Sequence, residues 1–145
     1  MEKIIIASDH AGFELKKIFI DNSEIKSRFL DLGPFSSESV DYPDYAKKLS
    51  LLIQTSEYKK GVLICGSGIG MSMVANRFDN VRAALCMNQE MARLSRQHNN
   101  ANILVLGSRL ISYEEAIKCF IMFFKSKFEA GRHQARLEKL NRIES

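Results

Sequence analysis

The chain has 145 residues, 46% of them apolar and 26% charged, and a formal net charge of +4. That length suits one domain, able to bury about two-thirds of its unfolded surface without disulfide or metal staples. The longest unbroken apolar run, residues 119–124, falls far below the roughly 18–20 residues of a membrane span, and residues 3–8 read as a strand with no cleavable small-residue site, so a cytoplasmic protein is expected.

In chain order, a strand is predicted over 3–7 and a helix over 11–21, where Phe13, Leu15, Ile18 and Phe19 recur at helical spacing. A strand over 28–32 follows. Segment 33–43 holds both prolines, Ser36-Ser37 and two acidic residues, and reads as a long loop on an active rim. The next helix, 45–53, turns Ala46, Leu49, Leu52 and Ile53 to one side, and 61–65 is a buried strand. Helices over 71–76 and 89–98 alternate with strands over 82–87 and 102–106, and helices over 113–127 and 133–142 close the chain. The alternation predicts an α/β fold: a three-layer α/β/α Rossmann-like arrangement with a five-stranded parallel sheet, right-handed crossovers and an extra C-terminal helix, all in a single domain over 1–145.

The three cysteines, Cys65, Cys86 and Cys119, stand 21 and 33 residues apart, without a Cys-x-x-Cys pair or a histidine at zinc-finger spacing. Neither a disulfide framework nor a structural zinc is expected, and Cys86 and Cys119 read as small buried hydrophobes. Cys65 differs because it ends a strand and opens directly into Gly66, Gly68 and Gly70. At the carboxyl edge of a parallel sheet this places a nucleophile or base beside a cradle of backbone N–H groups from residues 66–70, suited to a small oxyanion. A Gly-x-Gly-x-Gly spacing brings the third glycine one position too early for a dinucleotide fingerprint, and the Gly-Lys-Ser/Thr ending of a P-loop is missing. A nucleotide- or flavin-binding module is therefore the less favoured reading.

Asp9 and His10 follow the first strand and share that carboxyl edge, although Asp9 also suits a helix cap. His98, beside Asn99 at the end of a helix, is the best candidate for proton transfer near neutral pH. Arg109 follows the last strand, while Arg132 and Arg136 stand four apart on one helical face and suit a phosphate dianion. Between residues 125 and 142 six basic residues face only Glu129 and Glu138, which equals the whole charge excess. Nucleic-acid binding by this tail is disfavoured, since no aromatics beyond Phe128 are interleaved with it.

Taken together, Ser-Asp-His-Ala-Gly-Phe near the start, Val-Asp-Tyr-Pro at 40–43, Leu-Ile-Cys-Gly-Ser-Gly-Ile-Gly, Ser-Arg-Gln-His-Asn-Asn, Leu-Gly-Ser-Arg and Gly-Arg-His-Gln make the chain resemble type B ribose-5-phosphate isomerases. That family also includes galactose-6-phosphate isomerase subunits, and the resemblance runs essentially end to end. It implies interconversion of ribose 5-phosphate and ribulose 5-phosphate through an enediolate, with no metal, nucleotide or other cofactor. It further implies Cys65 as the base at C2, the N–H groups of Gly66, Ser67, Gly68, Ile69 and Gly70 as the oxyanion cradle, and Ser67 as the hydroxyl-proton shuttle. His98 would open the furanose ring, Asp9 and Asn99 would hold sugar hydroxyls, His10, Arg109, Arg132 and Arg136 would bind the phosphate, and His133 would assist. One branch of the family uses a glutamate just past the last loop glycine, where this chain has Met71. The resemblance also implies a homo-oligomer, dimeric or tetrameric, whose active sites are shared between subunits. Hexose phosphates such as allose 6-phosphate or galactose 6-phosphate are the alternative substrates.

Overall fold

The structure, a computed structural model, describes residues 2–22, 25 and 28–142. Its elements run β1 (Lys3–Ser8), α1 (Phe13–Asp21), β2 (Arg28–Asp31), α2 (Tyr42–Gln54), β3 (Gly61–Cys65), α3 (Ile69–Ala75), β4 (Ala83–Leu85), α4 (Gln89–Gln97), β5 (Ile103–Gly107), α5 (Tyr113–Lys125) and α6 (Ala130–Asn141). The strands form one sheet in the order β2-β1-β3-β5-β4, and every pairing is parallel. Successive strand residues point to opposite faces, which divides the core in two. Ile4, Ile6, Val62, Ile64, Leu104 and Leu106 pack under Leu15 and Phe19 of α1, Ala92 of α4 and Phe120 and Phe123 of α5. Ile5, Ala7, Leu63, Cys65, Ile103 and Val105 face Ala46, Leu49 and Ile53 of α2 and Met71 and Ala75 of α3. The three-layer α/β/α architecture is the one expected from the alternation.

Several boundaries move for local reasons. Helix α2 begins at Tyr42, three residues before the predicted start, because Asp41 supplies an extended entry and Pro43 is tolerated in a first turn whose N–H groups lack helical partners. Only Ala83–Leu85 of the predicted fourth strand pairs, on the sheet edge against β5. Helix α6 starts at Ala130 but breaks regularity at Gly131 (φ 18°, ψ −125°), so the regular helix resumes close to the predicted start at His133. Cys86 and Cys119 are fully buried, and burial pushes their thiols up to about 11 and about 12, which leaves them inert.

The predicted rim, 33–43, ends at 41 where α2 begins, and it is tied down by a lysine on the inner face of α1. Lys16 is 1% exposed. Its Nζ donates to Asp31 Oδ1 at 2.7 Å and to the Pro34 carbonyl at 2.5 Å, and it lies 5.6 Å from the Phe35 ring centroid. Burial pulls the Lys16 ammonium below the usual lysine range, against the opposing pull of Asp31. Lys16→Ala therefore leaves the buried Pro34 carbonyl without this donor and the partly buried Asp31 carboxylate without its cation, with only the Gly33 N–H remaining on Oδ1. A loss of about 2–4 kcal/mol in denaturant unfolding is expected, and an unchanged midpoint would contradict the role.

Topology also fixes where a ligand can sit. From β1 the chain leaves toward β2, whereas from β3 it leaves toward the other edge, so β1 and β3 flank a crevice at their carboxyl ends.

Candidate active site

That crevice holds a cleft of about 570 Å3, lined by Asp9, Tyr42, Cys65, Gly66, Ser67, Ile69, Gly70, Met73, Arg109 and Leu110. Its floor is the end of β3. Cys65 is 5% exposed, and its Sγ accepts from the Gly68 N–H at 3.2 Å. Gly68 reaches that position in a left-handed conformation (φ 79°), where a Cβ would run into Leu85 and crowd the Leu106 backbone. No other residue type fits both conditions without strain. Gly68→Ala is expected to cost about 1–3 kcal/mol of stability and to depress activity by displacing this N–H from the sulfur; wild-type melting and turnover together would contradict it.

Loop donors divide in a way the sequence did not disclose. All five N–H groups from 66 to 70 were expected to face an oxyanion. Instead, Gly68 serves Cys65, and the Ile69 N–H donates to Ser67 Oγ at 3.2 Å. Those of Gly66, Ser67 and Gly70 have no partner among the described residues, and all three residues line the cleft. The reason is geometric: a turn tight enough to start α3 closes two of its donors onto its own side chains.

Asp9 is 7% exposed, and its Oδ1 accepts from the Gly12 N–H at 2.9 Å, so it both caps the turn into α1 and reaches the cleft. His10 stands beside it but outside the lining. Its Nδ1 lies 3.2 Å from both the nitrogen and the carbonyl oxygen of Val40, which ties the ring to the rim. The Arg109 guanidinium lies over Gly66, where a Cβ would stand 2.9 Å from one of its nitrogens. Tyr42 was not anticipated as a site residue. Its ring rests on Gly70, where a Cβ would stand 2.6 Å from Cζ. The signal was available, since Tyr42 belongs to the Val-Asp-Tyr-Pro segment.

His98, Asn99, His133 and Arg136 do not join this cleft. They line a second one of about 230 Å3, with Leu137 and Leu140. In a right-handed β-α-β unit each helix begins at the carboxyl ends of the strands and finishes at their amino ends. The end of α4 therefore carries His98 to the sheet edge opposite Cys65. Arg132 is exposed and lines neither cleft. The expected convergence of Arg109, Arg132 and Arg136 on one phosphate is thus not made within a single chain.

The rings of His98 and His133 stack with centroids 4.3 Å apart and planes at 20°. Burial, then the charges of His98, Arg132 and Arg136, hold His133 below the usual histidine range. Among the described residues His98, Glu129 and His133 are the one group with three potential metal-ligating atoms, all within 4.8 Å of one another. Near-parallel rings keep their in-plane lone pairs from meeting at a point, so the geometry is that of a stacked pair rather than of a metal centre.

With both clefts located, likeness to known proteins gains a structural meaning. The profile described as Ribose/Galactose Isomerase matches residues 4–140. The chain belongs to the ribose/galactose isomerase family. Within it, ribose-5-phosphate isomerase B of Escherichia coli (strain K12) is 41% identical over 145 residues, covering 99% of this chain and 97% of the relative. The crystal structure of a ribose 5-phosphate isomerase from Thermotoga maritima is 50% identical with a TM-score of 0.93, covering 98% of this chain and 99% of that one. Ribose-5-phosphate isomerase B from Mycoplasma genitalium, solved with bound ribulose-5-phosphate, is 43% identical with a TM-score of 0.90, covering 97% and 94%. No helix among the described residues is long and apolar enough to cross a membrane.

Proposed function

We propose that the chain interconverts ribose 5-phosphate and ribulose 5-phosphate in the cytoplasm, acting as a single-domain enzyme with a shared active site. The observation that carries the chemistry is Cys65 Sγ on the cleft floor, hydrogen-bonded by Gly68 and flanked by Asp9 and Arg109. As a thiolate, Cys65 takes the proton from C2 of the open-chain aldose. The C1 carbonyl oxygen gains negative charge, and the N–H groups of Gly66, Ser67 and Gly70 meet it; one such donor is worth about a hundred- to a thousandfold in rate. Ser67 passes the hydroxyl proton from O2 to O1, and the C2 proton returns to C1, which completes the ketose. Asp9 holds sugar hydroxyls, and Arg109 and His10 hold the phosphate.

Ring opening is best served by a donor that exchanges protons near neutral pH, and no histidine lines this cleft. His98 supplies it if the second cleft of one subunit closes over the first cleft of its partner, together with Asn99, Arg132, His133 and Arg136. The cleft mouth supports such a cover: Ile69, Met73 and Leu110 are 46%, 66% and 53% exposed around a polar floor. In this reading α6 is the element that reaches the neighbour, and the assembly is a dimer or a pair of dimers.

The test is turnover of the purified protein on ribose 5-phosphate, allose 6-phosphate and galactose 6-phosphate. The highest kcat/KM is expected on the pentose. Absence of pentose turnover beside good hexose turnover would move the assignment to a hexose phosphate.

A further inference from the structure

We propose that a basic pocket at the amino-terminal edge of the sheet, lined by Lys59, Lys60, Arg82 and Arg96, is a second anion site built for a small phosphate-bearing molecule. It encloses about 400 Å3 and shares no lining residue with either cleft described above. Lys60 immediately precedes β3, and Arg82 immediately precedes β4. The pocket therefore lies across the sheet from Cys65.

Its walls are fixed by hydrogen bonds that leave the positive charge uncancelled. The Arg82 N–H donates to Asn102 Oδ1 at 2.8 Å, Asn102 Nδ2 donates to the Asn80 carbonyl at 2.7 Å, and Arg82 Nε donates to the Asn100 carbonyl at 2.8 Å. Arg96 donates to Asn100 Oδ1 at 2.9 Å and to the Ala101 carbonyl at 2.6 Å. Every one of these acceptors is neutral. The lining contains no carboxylate, and the three ion pairs among the described residues join Lys16 to Asp31, Arg93 to Glu90 and Lys118 to Glu114.

Arg96 supplies an independent sign. It is 7% exposed and its guanidinium lies 5.7 Å from the Phe123 ring centroid, yet its Nε is buried with no hydrogen-bond partner, whereas buried polar groups are nearly always paired. Burial and then the neighbouring Arg96 pull the Lys60 ammonium below its usual range, Glu2 pulling the other way; burial and then Arg82 do the same to Arg96. Like charges gathered in a half-desolvated pocket repel one another, and a bound dianion relieves that repulsion. All three non-glycine residues with left-handed backbone among those described, Ser56 (φ 61°), Asn80 (φ 65°) and Asn100 (φ 47°), line the same pocket. Such conformations gather where a ligand is clamped.

The test uses inorganic pyrophosphate, with Arg109→Ala/Arg132→Ala/Arg136→Ala as background so that binding through the active-site arginines is removed. Calorimetric titration is expected to retain a salt-sensitive site in this variant. Adding Lys60→Gln is expected to weaken it by about tenfold or more, with ribose 5-phosphate turnover of the single Lys60→Gln variant unchanged. If Lys60→Gln does not fold, the exposed Lys59→Gln replaces it, with a loss of about threefold expected. No binding in the background variant overturns the proposal, and so does binding indifferent to both lysines. Because the readout is binding, inactivity on ribose 5-phosphate would count against the proposed function and leave this site standing.

Discussion

Cys65→Ala is expected to lower kcat by about a thousandfold or more while the protein still folds and still binds sugar phosphate. The sulfur sits at the end of a buried central strand with a backbone N–H directed at it. Of the other titratable groups lining the cleft, Asp9 already holds the Gly12 N–H on Oδ1, Tyr42 is a phenol and Arg109 a guanidinium. Position 71, where another branch of the family carries glutamate, is a fully buried methionine in this chain. Loss of packing is separated from loss of the base by Cys65→Ser, which restores the shape but not the acidity and is expected to remain inactive. Thermal melts of both variants check the fold. If Cys65→Ala kept more than about a tenth of wild-type kcat, a barrier change below roughly 1.4 kcal/mol, Cys65 would not be the base.

What the chain disclosed before folding follows a physical division. Strand and helix identity were readable because the sheet is parallel and covered on both faces, so β3 and β5 are unbroken apolar runs while the amphipathic helices carry apolar residues at helical spacing. The first cleft was readable for a related reason. Cys65 ends a strand and Asp9 and Arg109 follow the carboxyl ends of two others, and such positions converge once the sheet is parallel.

Features set by exceptions to those patterns were harder to see. Lys16 lies on the inner face of α1 among Leu15 and Phe19, and nothing local distinguishes it from a solvated lysine until Asp31 and Pro34 come round to meet it. Lys59 and Lys60 share the loop before β3, Arg82 ends the loop before β4 and Arg96 lies on α4, so no long charge run marks the pocket they line. The placement of His98 was implied by topology. A residue ending a crossover helix arrives at the amino edge of the sheet, which alone separates it from a cysteine ending a strand.

That separation leads to a prediction that one chain by itself cannot satisfy. Cys65→Ala and His98→Asn are each expected to be crippled, the second by about a hundredfold through slowed ring opening. Co-expressed and purified as a mixed dimer, they are expected to regain activity. If each site draws Cys65 from one subunit and His98 from the other, a mixed dimer contains one site carrying both lesions and one carrying neither. Random pairing makes half of the dimers mixed, so about a quarter of wild-type activity should return, and a purified mixed dimer should approach half. Restored activity should show the wild-type KM, because the intact site has its full set of phosphate contacts, whereas Arg136→Ala alone is expected mainly to raise KM. Activity no greater than the average of the two parents would mean that His98 serves the chain that carries it. The stacked His98–His133 pair would then have to act across the sheet from the sulfur, which the β-α-β geometry forbids without a rearrangement of α4.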